Sequence, residues 1–504
     1  VDTIIKKLVE LKVLRFNHNR KFWELVESSS LDISLEINKR RNHIILNKSL
    51  LVETLNTYNR YRVIYSHEFN HQFEMTRFAR VNIYIEGLIF PKQKLKSDFD
   101  INVLISTSNQ LVSSNDINTL MGVSLFEQKE IDRLVELLVE INALDSMQQD
   151  RYFLSQYKNI EHEINYEKSN RLQELENYLE MALFSKAKYL DKNNNWVNEV
   201  RFNSMQDLEV FVDKKIGSLF HKTVVIKNDQ VNMFEIARIQ EKAVISVIDK
   251  LLKNQSTEIE SKFVGNKPDG LLFYSIISQV KMLSEVFNEI NEYIYNHEGG
   301  SISELSNILA NPPYGFRPAV ASVILTISLL KKWKNLMFFD NESYIAELPP
   351  EYIYEACLGI RDFEYTFSQF EFDNRKFIDD ILLNFDYVSE GVKSKSLSIQ
   401  ACSGLYNWYL KLAVVVQLGL TGTLSIEDNY RLKSIKKSKT NPLLALQELV
   451  ELFEYESISE FKYRIEASFD IFLESLEYKI KQKHNISDWY EWAKSQEIIK
   501  LKTN

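Results

Sequence analysis

Two imidazoles and a carboxylate stand at the spacing His67-Glu68-Phe69-Asn70-His71, the pattern H-E-x-x-H. On a helix, residues four apart share a face, so both rings would meet one Zn²⁺ and the glutamate would activate a metal-bound water, as in a metal-dependent hydrolase. The neighbours suit such a helix in part, with Ile64 and Phe73 apolar and Ser66, Asn70 and Gln72 uncharged. A third ligand is harder to find. Glu86, Asp98 and Asp100 follow, but none sits in a recognisable continuation of the motif, and after Arg80 the chain turns to the strand-like VNIYIEG. Five-residue patterns with two free positions arise by chance in long chains. We read the match as accidental and keep a zinc-dependent hydrolase using His67, Glu68 and His71 as the alternative.

The second available chemistry is phosphate binding. Residues 1 to 65 hold twelve Lys and Arg against seven Asp and Glu, an excess of five positive charges. Ile4, Ile5, Leu8, Val9 and Leu11 recur at helical spacing, and VLRFNHNRKFWELV then reads as two strands joined by Asn17 to Arg20. A helix followed by a basic wing can hold a nucleic-acid backbone, which makes Arg15, Arg20, Lys21, Arg40 and Arg41 the candidate DNA contacts. Against this stands the solvated-face reading of Lys6, Lys7 and Lys12. The chain contains no G-x-x-x-x-G-K-[ST], no G-x-G-x-x-G after a strand and no G-x-S-x-G, and its eight histidines form no triad-like grouping. No catalytic residue is assigned.

The elements that must position these residues are mostly helices. Across 504 residues, 45% are hydrophobic and 26% charged, ordinary for a globular chain of about three domains. Gly (13) and Pro (8) are scarce, so tight-turned strands should be few. A net charge of −9 argues against global attraction to nucleic acid or membrane. Cys357 and Cys402 make no disulfide framework. With no signal peptide and no apolar run long enough to span a bilayer, the expected location is the cytoplasm. Because the chain starts inside an amphipathic helix, it is expected to be the C-terminal part of something longer.

The organising stretch is Ser301 to Leu348: a Ser-capped helix, a Pro-Pro turn, a long apolar helix from Pro318, and two strands meeting at Asp340-Asn341. Helix, helix, hairpin is a winged-helix order. From Pro318 to Leu330 there is no ionisable side chain, and a groove-reading helix needs Arg, Lys, Asn or Gln. An all-round apolar helix is buried against protein. The fold expected is mainly α, a multi-domain helical scaffold with winged-helix units and a small α/β insert. Its parts are a partial winged helix plus helices over 1–58, the insert over 59–124, a helical hairpin with a β-hairpin over 125–203 and a helical domain over 204–300. A winged-helix-like unit over 301–372 and a C-terminal helical domain over 373–504 complete it. The hairpin over 125–203 has a coiled-coil-like seam through Leu134, Leu138, Ile164 and Leu175, and serves as an interaction arm or a bundle edge. Within 204–300, residues 255–270 read as a linker and 271–297 as helical, and Arg431 to Lys439 reads as an exposed basic loop or helix end.

Four pieces in the same order resemble the C-terminal region of very large bacterial P-loop ATP-binding proteins of the BREX-like phage-defence type: FNHQFEMTRF (Phe69 to Phe78), SLFHKTVVIKNDQVN (Ser218 to Asn232), NPPYGFRPAVASVILTISLL (Asn311 to Leu330) with its hairpin ending YIAEL, and GLYNWYLKL (Gly404 to Leu412). Where that pattern tends to read Asn-Glu, this chain has Asn228-Asp229. The resemblance implies that a nucleotide-binding domain holding ATP and Mg²⁺ precedes Val1. It implies further that this chain is a non-catalytic sensor or coupling scaffold that meets protein partners or itself. It also singles out Asn70 with Thr76-Arg77-Phe78, and leaves His67 and His71 at positions of no special pattern.

Overall fold

Apolar residues at helical spacing become helices along most of the chain. The computed structural model describes residues 2–10, 13–17, 22–25, 33–85, 88, 99–107, 119–157, 160–191, 199–233, 235–258, 260–345, 347–368, 374–385, 392–393, 395–454, 457–482 and 491–492. Among them are twenty α-helices and twelve strands, so the protein is mainly α with a small α/β part. No described helix is long and apolar enough to cross a membrane. The chain divides into two compact units, Val1–His71 with Thr76–Ser218, and Gln72–Met75 with Leu219–Asn504.

The first unit opens with α1 (Asp2–Glu10) and the antiparallel pair β1 (Leu14–Asn17) and β2 (Phe22–Leu25), where the helix and wing were expected. Helices α2 (Ile33–Leu46) and α3 (Lys48–Tyr58) follow. Asn47 precedes α3 but makes no cap bond, because its Oδ1 accepts from Ser49 Oγ at 2.5 Å. Then come β3 (Val63–Tyr65), α4 (His67–Phe73), β4 (Phe78–Tyr84), β5 (Ile101–Ser106) and β6 (Thr119–Ser124). Next are α5 (Gln128–Gln149), α6 (Arg151–Gln156), α7 (Ile160–Glu180), β7 (Ala187–Asp191), β8 (Glu199–Val200) and α8 (Met205–Leu219).

The six strands form one sheet in order β3-β4-β5-β6-β7-β8, parallel from β4 to β6 and antiparallel towards both edges. All six positions of β5 are buried, as a parallel interior strand covered on both faces requires. The hairpin strands expected to belong with the 125–203 helices instead extend the sheet of the 59–124 insert. Pairing from Leu120↔Asp191 to Ser124↔Ala187 overrides the local grouping. Helices α5 and α7 do form the expected hairpin, burying Leu134, Leu138, Ile141, Ile164 and Leu175. Arg133 to Glu174 (2.7 Å) and Arg171 to Glu140 (3.1 Å) lace its flank.

The second unit runs through α9 (Arg238–Asn254), α10 (Pro268–Ile277), α11 (Ser284–His297), β9 (Gly299–Ser301), α12 (Ile302–Ala310) and α13 (Pro318–Leu330). It continues with β10 (Leu336–Asp340), β11 (Ser343–Ile345), α14 (Pro350–Cys357) and β12 (Glu364–Phe367). The end is helical: α15 (Arg375–Asn384), α16 (Leu397–Lys411), α17 (Val414–Gln417), α18 (Ile426–Lys437), α19 (Pro442–Leu452) and α20 (Ile458–Gln482). The expected linker over 255–270 gives way to a helix at Pro268, whose fixed φ suits a first turn. The stretch expected to be helical over 271–297 is helical as α10 and α11, with turns at 278–283 between them.

The order helix, helix, hairpin stands where it was expected. Ser301 Oγ accepts from Ser303 N at 2.9 Å while Glu304 reaches back to Ser301 N, closing a capping box. Every residue of α13 from Ala319 to Leu329 is buried. The hairpin turns through Asn341 (φ 47) and Glu342 (φ 62), the two left-handed residues of a two-residue turn that matches strand twist. The sheet order is β11-β10-β12-β9, so β12 lies between the hairpin and β9. Strand β10 serves two cores. Leu336 and Phe338 join the one built around α13, and Met337 and Phe339 the one built around α16, as the two-residue period of a strand dictates.

Candidate functional site

The H-E-x-x-H residues lie on α4, only seven residues long, and His67, Glu68 and His71 are all exposed. What α4 turns inward is Phe69 and, in part, Asn70. Its N-terminus is held by Asp213, which accepts from the Ser66 hydroxyl and from the backbone N–H groups of Glu68 and Phe69, both at 3.4 Å. Of the three candidate third ligands, Glu86 and Asp98 lie outside the described residues. Asp100 is buried and ion-paired to Arg77, Nη1 to Oδ1 at 2.5 Å, and its other oxygen accepts from Phe78 N at 3.1 Å. Among the described residues no group of three His, Cys, Asp or Glu is placed to hold a metal.

Asn70 does a different job. Its Nδ2 donates to Arg77 O at 2.9 Å and its Oδ1 accepts from Arg77 N at 2.7 Å, so one side chain satisfies both backbone groups of Arg77. Arg77, 1% exposed, then crosses to Asp100 with its guanidinium 5.3 Å from the Phe69 ring centre. The piece Phe69–Phe78 is therefore a folded joint joining α4, β4 and the start of β5.

The candidate DNA contacts divide. Arg20 and Lys21, and the side chain of Arg15, lie outside the described residues. Arg40 donates to Ser146 Oγ at 2.8 Å and Asp150 Oδ2 at 3.3 Å and lies 3.5 Å from Glu36, and Arg41 meets Glu136 at 2.8 Å. Both pin α2 to carboxylates and a hydroxyl of the α5 region. Asp150 is held below the ordinary aspartate range chiefly by Phe153 N–H, with Arg40 adding to it. The basic run from Arg431 to Lys439 runs through the end of α18, with Lys433, Lys436, Lys437 and Lys439 exposed as expected of a helix end. Arg431 is buried against Asp428 at 3.1 Å, and Lys437 meets Glu448 at 2.6 Å.

The other resembling pieces are also joints. Lys222 N donates to Pro313 O at 3.1 Å and Thr223 Oγ1 to Tyr314 O at 2.5 Å, so the second piece meets the turn of the third, while Asn232 Nδ2 closes the second on itself through Ile226 O at 2.7 Å. In the fourth, Trp408 is buried and its Nε1–H donates to Glu466 at 2.8 Å.

A feature that motif reasoning missed lies beside β10. A cavity of about 340 Å³ is lined by Trp333, Phe338, Tyr344, Leu348, Val392 and Lys395 among others. Lys395 is 7% exposed. Its Nζ donates to Leu336 O at 2.9 Å, lies 3.2 Å from the Trp333 ring centre and 5.0 Å from that of Phe338. Burial pushes this amine well below the usual lysine range. The stem is fixed by Ser396 N donating to Lys334 O at 2.8 Å and by Gln400 Nε2 donating to Lys395 O at 2.8 Å. The remaining charged lining residues are Asp249, the exposed Lys253 that pairs with it at 2.8 Å, and the exposed Glu347. In sequence Lys395 sits in VKSKSL, which carries no signal of burial.

Comparison with protein-family models, with curated proteins and with solved structures finds no match to this chain.

Proposed function

We propose that this chain is a non-catalytic sensor and coupling scaffold, the C-terminal part of a large bacterial ATP-dependent anti-phage defence protein. It would work in the cytoplasm with protein partners or further copies of itself. The observation that supports this reading is the Asn70–Arg77–Asp100 joint. Asn70 and Arg77, which the resemblance singles out, tie a helix to a sheet. Buried polar joints of this kind make two elements move as one, which a chain transmitting a state requires. ATP is not assigned to the described residues, since none of the left-handed glycines Gly315, Gly359, Gly419 and Gly422 leads into the Lys-Ser/Thr of a phosphate-cradling loop.

The test is plaque counting on a host carrying the encoding gene with its natural neighbours. Fewer plaques than on the deletion strain, with protection retained in His67→Ala, are the expected results. Unchanged plaque numbers, or stoichiometric zinc in the purified protein that His67→Ala removes, would overturn the reading. Duplex DNA binding that falls steeply with salt and weakens in Arg40→Ala plus Arg41→Ala would redirect it to a nucleic-acid module.

A further inference from the structure

We propose that the cavity beside β10 binds a small neutral aldehyde or ketone and holds it on the Lys395 amine as an imine. This inference is independent of the coupling reading. A neutral amine has two N–H bonds and one lone pair. Here the Leu336 carbonyl and the Trp333 ring face take the donor side of Nζ, which leaves the lone pair uncommitted. Lys395 lines a cavity of about 340 Å³, within the range of small-molecule sites. Most of its wall is aromatic and aliphatic, so the occupant is largely apolar.

The charges choose among ligand classes. An anion would need a protonated Lys395, which burial opposes, and the other charged lining residues, Asp249, Lys253 and Glu347, sum to one negative charge. A cation would gain little inside, because Asp249 is already paired with Lys253. A neutral carbonyl compound meets neither obstacle. The opposing view is that Lys395 is only a strut to the Leu336 carbonyl; such a strut explains the hydrogen bond but gives no reason for the cavity that Lys395 lines.

The chemistry balances without any further reactant. The nitrogen lone pair attacks the carbonyl carbon, the C=O π pair moves to oxygen, and one amine proton follows it. The hydroxyl then leaves with the second amine proton as water while the nitrogen lone pair closes C=N. One water is released, nothing is oxidised or reduced, and hydrolysis reverses the step.

Benzaldehyde with cyanoborohydride, applied to the folded full chain near neutral pH, traps the imine as a benzyl adduct that peptide mass mapping locates. An exposed lysine of pKa about 10.4 is neutral in roughly one molecule per thousand at neutral pH, so Lys395 should label at least ~10-fold faster than the exposed Lys253 of the same cavity. Urea should erase the difference. Lys395→Met, which keeps a chain of similar length but no nucleophile, should fold and lose the fast adduct. Equal labelling of Lys395 and Lys253 in the folded chain, or no adduct on Lys395 at saturating aldehyde, would overturn the proposal whether or not the variant folds. Protection of Lys395 by benzoate would overturn it in favour of an anion site.

Discussion

Arg77 in the first unit and Lys395 in the second are both buried bases, and they are accommodated in opposite ways. A guanidinium stays charged at any working pH, so Arg77 can be buried only with a carboxylate, and Asp100 supplies it at 2.5 Å. Asp428 repeats this solution with Arg431 and Arg464. An amine can give up its proton, and Lys395 takes a carbonyl and ring faces as its neighbours. A paired, permanently charged group is tied into the architecture. A neutralised amine that lines a cavity retains reactivity, which explains why the two sites lead to different functional readings.

The largest effect should come from breaking the pair. Arg77→Met leaves Asp100 buried and unpaired, and loss of one partner of a buried ion pair costs about 3–5 kcal/mol, read as a fall in the urea midpoint. Adding Asp100→Leu should recover most of it. A loss below ~1 kcal/mol in the single variant, the scale of exposed ion pairs, would show that Arg77 is not the fixed charge described. Next in size, Asn70→Ala removes both bonds to the Arg77 backbone and should cost about 1–3 kcal/mol, measured in the same way.

Lys395→Met should not lower stability at neutral pH, since an amine that must give up its proton to be buried is replaced by an apolar chain of similar length. Its signature is the pH dependence. The folded-state pKa of Lys395 is lowered by burial, so between that value and the unfolded value near 10.4 the unfolded chain binds more protons. Stability therefore rises with pH across this window, is fully present above the unfolded pKa, and is lost as pH falls through the folded one. Buried Tyr344, raised by burial, acts oppositely above about pH 10. Urea midpoints from neutral pH to that limit should climb in the wild type and stay flatter in Lys395→Met. Equal slopes would put the amine in water.

The smallest effect concerns the strand that carries the Lys395 acceptor. Glu342 sits at φ 62, and a left-handed non-glycine residue costs about 1–2 kcal/mol, part of which glycine returns through its freer unfolded chain. Glu342→Gly should thus raise stability by up to ~1 kcal/mol without altering the aldehyde-labelling rate. A changed rate would mean that the hairpin tip governs the cavity.

Much of the local architecture was legible because its causes are local. Ser301 with Glu304 announces a helix start, Asn341 between apolar runs a turn, and Leu134, Leu138, Ile164 and Leu175 a helical seam. Pairings between distant segments were not. Strand β7 joins β6 across more than sixty residues, and Arg40 finds Ser146 across 106; neither run of sequence names its partner. The H-E-x-x-H spacing was legible as a pattern and uninformative as chemistry, since exposure of α4 depends on what Phe69 packs against.

From its residue order alone, the chain determined that Pro318 to Leu330, lacking any ionisable group, must be enclosed, because transferring that much apolar surface out of water is favourable wherever the neighbours come from. Which charges would be enclosed with it was decided only in three dimensions. The state of Arg77 and of Lys395 depends on desolvation and on partners contributed by residues far away in the chain, and a Lys or Arg in the sequence looks the same whether water or an aromatic wall will surround it.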